Sequence, residues 1–70
     1  MSDFITITLN GEHFSTAAQT TLSSLVEQLG MAQGRIAIER NREIVPRSEH
    51  AATALENGDV IEIVHAIGGG

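Results

Sequence analysis

Thr21-Leu22-Ser23-Ser24-Leu25-Val26-Glu27-Gln28-Leu29-Gly30 carries a helix period, and its reading decides the fold. Leu22, Leu25, Val26 and Leu29 fall at i, i+3, i+4 and i+7, which lines them along one side of a helix. Ser23, Ser24, Glu27 and Gln28 take the other side. The Thr21 hydroxyl can accept from the unpaired amides of a first turn, so it is read as the N-cap. Gly30 stands where a left-handed residue ends such a helix. A single apolar stripe cannot stay in water, so the rest of the chain must supply one sheet face to cover it.

Strand signals lie on both sides of that helix. Upstream, Phe4-Ile5-Thr6-Ile7-Thr8-Leu9 is rich in β-branched residues, with Ile5, Ile7 and Leu9 on one face and Phe4, Thr6 and Thr8 on the other. Asn10-Gly11 tolerates the two positive φ angles of a type I′ turn and signals a hairpin. The second strand is expected from Glu12 to Ser15, carrying Phe14, with a polar stretch from Ser15 to Thr20 before the helix. Downstream, Ile36-Ala37-Ile38 starts a third strand, Arg40-Asn41-Arg42 a tight turn with Asn41 left-handed, and Ile44-Val45 a short fourth strand. Pro46 stops it because proline cannot donate to a ladder. Ser48 is expected to cap a short turn of helix through His50 and Ala51, and Leu55 is the core candidate before the Asn57-Gly58-Asp59 turn. Val60 to Ile67 is the last strand, with Ile61 and Ile63 inward and Glu62 and Val64 outward.

The order β-β-α-β-β-β with two hairpins predicts an α+β fold of the β-grasp type. A mixed sheet of four to five strands would pack on one main helix, with the first and last strands adjacent, parallel and central. Residues 1–67 form the domain, and residues 68–70 are expected to be a flexible Gly-Gly-Gly tail.

Composition narrows the function. With 70 residues, 41% hydrophobic content, no Trp or Tyr and no Cys, one aliphatic core must hold the fold without disulfides, and no thiol is available for chemistry. The formal net charge of −5, from nine acidic residues against four arginines, would be repelled by phosphate backbones, so no nucleic-acid partner is expected. No apolar run approaches the ~20 residues of a membrane span, and no basic n-region with an apolar h-region opens the chain. A cytoplasmic protein without membrane association is the expectation. Phosphate-cradling glycine loops are absent, so no nucleotide cofactor is expected. His13, His50 and His65 lack the spacing of a metal site. The chain is therefore not expected to be an enzyme.

What remains is Ile67-Gly68-Gly69-Gly70. A terminal carboxylate has a pKa of about 3.5 and is a poor electrophile when ionised. To serve as an acyl donor it must be activated, and the ATP for that must be supplied by another enzyme. Four extended residues reach roughly 13–14 Å, and glycine allows close passage through a narrow channel because it has no Cβ. Gly70 would then be the reacting residue and Gly68 and Gly69 the thread that delivers it; the competing reading is a tail without function. Val64, Ala66 and Ile67 could form an apolar docking patch at the tail's root or simply pack in the sheet. His65 could contact a partner or be a half-buried strand histidine, and Arg47 could pair with an acidic partner patch or remain solvated.

The chain resembles the ThiS family of sulfur carriers in thiamine thiazole biosynthesis, which are ubiquitin-like β-grasp proteins. The resemblance spans essentially the whole sequence. It rests on Asn10-Gly11, the Thr21-to-Leu29 helix, Glu39-Arg40-Asn41-Arg42-Glu43-Ile44-Val45-Pro46-Arg47, Asn57-Gly58-Asp59-Val60-Ile61-Glu62-Ile63-Val64-His65, and above all Ile63-Val64-His65-Ala66-Ile67-Gly68-Gly69-Gly70. It implies that an E1-like adenylyltransferase of the ThiF type converts the Gly70 carboxylate to an acyl adenylate. A sulfur donor, typically a cysteine desulfurase persulfide, replaces AMP and leaves a thiocarboxylate, and a ThiG-type thiazole synthase takes the sulfur. One departure is His50, where relatives often carry an aromatic residue. Sulfur transfer in another pathway (molybdopterin or amino-acid biosynthesis) and a non-covalent β-grasp adaptor are the alternatives.

Overall fold

The computed structural model describes residues 3–65. Its helix α1 spans Leu22–Gln28, and Thr21 caps it by accepting from the Ser24 N–H at 3.1 Å. At the other end Gly30 adopts φ +73°. The Gly30 N–H donates to Glu27 O at 3.1 Å and the Met31 N–H to Val26 O at 3.0 Å. These are the two bonds of a Schellman motif, so the C-terminal end is satisfied locally, while at the N-terminal end the Leu22 and Ser23 N–H groups donate to Thr53 O at 3.0 Å and His50 O at 3.1 Å.

Five strands form one mixed sheet: β1 Phe4–Leu9, β2 Glu12–Ala17, β3 Ile36–Arg40, β4 Glu43–Val45 and β5 Val60–His65. The spatial order is β2-β1-β5-β3-β4. β1 and β5 run parallel, through Thr8↔Val60 and Leu9↔Ile61, while β3 runs antiparallel to both β4 and β5. The β1–β2 turn has φ 49° at Asn10 and φ 86° at Gly11, the two positive angles that a primed hairpin turn demands. Ile7, Leu9, Ile38, Ile61 and Ile63 from the sheet meet Leu22, Leu25 and Val26 from the helix, with Leu55 closing the same core. This is the β-grasp arrangement that the order of elements predicts, with the last strand at the centre.

Two local expectations are corrected. β2 continues past Ser15 to Ala17, because Ile5↔Thr16 and Phe4↔Ala17 complete its ladder with β1. Thr16 is buried there, and its hydroxyl is satisfied by Thr20 Oγ1 at 3.2 Å and Gln28 Nε2 at 3.4 Å. Ser48 does not cap a helix. The 3-10 turn is Arg47–Glu49, Pro46 occupies the cap position at φ −60°, and no side chain caps it. Proline's fixed φ starts the turn two residues earlier than a cap at Ser48 would. No helix among the described residues is long and apolar enough to cross a membrane.

Candidate functional site

Ala66, Ile67, Gly68, Gly69 and Gly70 lie outside the described residues. The strand that leads to them is described, and two asparagines grip it. On the β3 side, Asn41 donates its backbone N–H to Val60 O at 2.8 Å and accepts from the Val60 N–H through Oδ1 at 2.9 Å. On the β1 side, Asn10 Oδ1 accepts from the Ile63 N–H at 2.9 Å, and Asn10 Nδ2 donates to Ile63 O at 3.2 Å. The Asn10 side chain stands in for a whole peptide unit and the Asn41 side chain for a peptide carbonyl, each at a point where the neighbouring strand turns away. In the sequence both read as turn residues; their second role has no periodic signal.

Below β5 the Asp59 carboxylate organises the turn. It accepts from Arg40 Nε at 2.9 Å, the Glu56 N–H at 2.9 Å and Asn41 Nδ2 at 3.1 Å. Burial alone would raise its pKa, since Asp59 is only 6% exposed. The Glu56 amide, the Asn41 amide and the Arg40 guanidinium outweigh that and hold the carboxyl below its ordinary value. The pair is structural: it fixes where β5 begins.

The sequence-predicted docking residues separate onto two faces. Val64 is 54% exposed on the open side of the sheet, away from α1. Ala37 is its partner on β3, and Ile44, 64% exposed, lies on the same side two strands away. Glu62 and Glu39 sit directly opposite each other in the row below. Ile44 was not among the predicted docking residues, because a three-residue strand leaves no alternation to read.

His65 and Arg47 belong to the other side. His65 is exposed rather than half-buried, because it stands at the end of the sheet beyond the cover of α1. Its ring lies so close to Gly34 that a Cβ there would meet His65 Cδ2 at 3.2 Å. Arg47, also exposed, borders a shallow cavity of ≈ 190 Å³ with Val26, Gly34, Ile36 and His50. His50 is 7% exposed, and its Nε2 lies 3.0 Å from the Val45 carbonyl, so the ring is packed and hydrogen-bonded in place. The departure at His50 is thus absorbed by a local backbone acceptor. Among the described residues no group of three or more His, Cys, Asp or Glu could hold a metal ion.

The model of the ThiS family matches residues 6–70. A thiazole synthase from Paramagnetospirillum magneticum is 44% identical over 64 residues, which is 91% of this chain but 20% of that protein, so the chain spans about a fifth of its length. The sulfur carrier protein ThiS of Escherichia coli is 36% identical over 64 residues, covering 91% of this chain and 97% of the relative. The crystal structure of the thiamine biosynthesis protein ThiS from Geobacter metallireducens superposes with a TM-score of 0.82 at 29% identity, covering 94% of this chain and 100% of that one. With nearly the whole sequence matched and the same five-stranded sheet on one helix, the chain belongs to the ThiS family.

Proposed function

We propose that this protein is a sulfur carrier for thiamine biosynthesis and that its reacting group is the Gly70 carboxylate. The observation that carries this reading is the family match, which runs to residue 70 and so includes Gly68, Gly69 and Gly70. A carboxylate is too poor an electrophile to accept sulfur directly. In the proposed sequence it attacks the α-phosphorus of ATP on an E1-like adenylyltransferase and releases pyrophosphate. The terminal sulfur of a desulfurase persulfide then displaces AMP, and a thiol reduces the acyl disulfide to the thiocarboxylate. ATP belongs to the activating enzyme, and the chain acts as a protein co-substrate in the cytoplasm.

Thiazole synthase is the proposed acceptor. Support comes from the relative of that name, in which a segment resembling this chain is part of the synthase's own polypeptide. Gly68 and Gly69 thread the tail into both enzymes. Val64, His65, Ala66, Ile67 and Arg47 are the proposed contacts.

The test is intact mass after incubation with an E1-like adenylyltransferase, ATP, cysteine and a cysteine desulfurase. The expected product is heavier by the exchange of one oxygen for one sulfur, and deletion of Gly70 abolishes it with the fold unchanged. Failure to form either adenylate or thiocarboxylate refutes the carrier reading and leaves a non-covalent adaptor. Intact mass of the protein from its own cells checks that the Gly70 carboxylate is free. A deletion strain that grows equally with and without thiamine would move sulfur transfer to another pathway.

A further inference from the structure

The parallel ladder between β1 and β5 is short. It covers Thr8↔Val60 and Leu9↔Ile61, with the Asn10 N–H donating to Ile61 O at 2.9 Å. A continuing strand would next bond to Ile63, but at Asn10 the backbone turns into the β1–β2 hairpin at φ 49°. The Asn10 side chain supplies what the backbone no longer does. Its carbonyl accepts from the Ile63 N–H at 2.9 Å and its NH₂ donates to Ile63 O at 3.2 Å. One primary amide thus reproduces the donor and acceptor of a strand neighbour. Beyond Ile63, the described pairing of β5 is with β3 alone, through Ala37↔Val64 and Ile36↔His65.

The structure assigns Asn10 as a positioning residue for the C-terminal tail: its amide clasp on Ile63 fixes the direction in which the chain leaves the sheet. This rests on the carrier reading above. Five residues follow His65, the last residue paired with β3, a reach of roughly 17 Å when extended in a partner's channel. Over that lever a swing of about 10° moves the terminal carboxylate by about 3 Å, comparable to the ~3–3.5 Å separation that a reacting pair must hold. A clasp just before the pivot therefore bears on attack geometry, while docking of the domain uses surfaces elsewhere.

Asn10→Gly isolates the clasp. Glycine keeps the positive φ that the turn requires, so the hairpin is retained and only the side-chain amide is lost. Asn10→Asp keeps the acceptor for the Ile63 N–H and loses the donor. Two measurements are made on the full chain. In the first, steady-state adenylation by the E1-like enzyme is followed as pyrophosphate release, with the carrier as varied substrate. For Asn10→Gly the expected result is a kcat lower by about tenfold with KM within about twofold of wild type, and for Asn10→Asp a value between the two. In the second, ¹⁵N relaxation gives backbone order parameters. Those of Val64 and His65 should fall from about 0.85 toward about 0.6 in Asn10→Gly, while Leu25 and Ile38 keep theirs.

A merely structural role would lower order parameters throughout, or raise KM, and either result overturns the assignment. So does a wild-type protein that is adenylated at the same kcat as Asn10→Gly. If the wild type itself is never adenylated, the carrier reading fails first and the delivery role falls with it, so the two failures are told apart by the wild-type arm.

Discussion

Asp59→Asn is the most informative single change in the fold, because one atom pair converts a buried acceptor hub into a mismatched one. The wild-type Oδ2 accepts from both Arg40 Nε and the Glu56 N–H at 2.9 Å, and Oδ1 accepts from Asn41 Nδ2 at 3.1 Å. Asn41 cannot turn its amide to compensate, since its Oδ1 already accepts from the Val60 N–H. An amide at position 59 must therefore point its NH₂ at a donor. The loss comprises one neutral hydrogen bond, about 1 kcal/mol, and the charge-assisted part of the Arg40 pair, about 1–2 kcal/mol after discounting for the partly exposed guanidinium. The sum, about 2–3 kcal/mol, is a large share of the ~4–10 kcal/mol expected for a domain of this size. It corresponds to a fall in Tm of about 10–20 °C.

The assay is urea unfolding followed by far-UV circular dichroism, since the chain has no Trp or Tyr to report by fluorescence. The pH dependence has a fixed sign. The Asp59 carboxyl titrates below its ordinary value in the folded state, so its contribution is full above the unfolded value of about 3.9 and is lost as pH falls through the lower folded one. The gap between wild type and variant should be flat from about pH 5 to 8 and should close below about pH 4. A gap under about 0.5 kcal/mol at pH 7, within the range of an ordinary surface change, refutes the hub argument. A gap that persists undiminished in acid refutes its electrostatic part.

Glu62→Gln should stabilise the domain by about 0.2–1 kcal/mol at low salt, because Glu62 and Glu39 stand directly opposite on neighbouring strands. Urea midpoints with and without added salt check this, and the gain should shrink as salt screens the wild-type repulsion. Gly58→Ala should cost about 1–2 kcal/mol in the same titration through its φ of +88° alone, since an added Cβ would find nothing within 4 Å. By contrast, Gly34→Ala meets His65 Cδ2 at 3.2 Å, yet that ring is exposed and can swing, so thermal unfolding should shift by no more than about 2 °C.

The helix and the two hairpins were legible because their signals are local. A threonine cap, an apolar stripe and a left-handed glycine each act within a few residues, and strand alternation at Ile5, Ile7, Leu9, Ile61 and Ile63 repeats at a fixed period. The features that escaped share one physical cause. Thr16, His50 and Asp59 are polar residues buried by partners far along the chain or in irregular turns, and a polar side chain in a loop-like stretch carries no mark of burial. Thr16 also hid the end of β2, since Ser15-Thr16-Ala17 reads as a linker until its ladder with Phe4 and Ile5 is seen. His65 misled in the opposite direction. Its parity with Ile61 and Ile63 suggests burial, but the sheet outruns the seven-residue helix that covers it.

Of the candidate site, residue type alone suggests the chemistry, and the structure shows the strand that leads toward it. Gly68, Gly69 and Gly70 stand out by residue type alone, because the absence of side chains is itself the signal. Which strand carries them, and how firmly, depends on long-range pairing. The strand leading to the tail is central, with β1 on one flank and β3 on the other, and asparagines cover the two places where those neighbours depart. An edge strand in that position would open easily, as segments with few partners do. In the proposed carrier role, a root on a central strand keeps motion at the start of the arm apart from passage of the glycines through a partner's channel. That separation predicts that substitutions at Asn10 and at Gly69 act on different steps: the first on attack geometry at a normal KM, the second on entry into the channel.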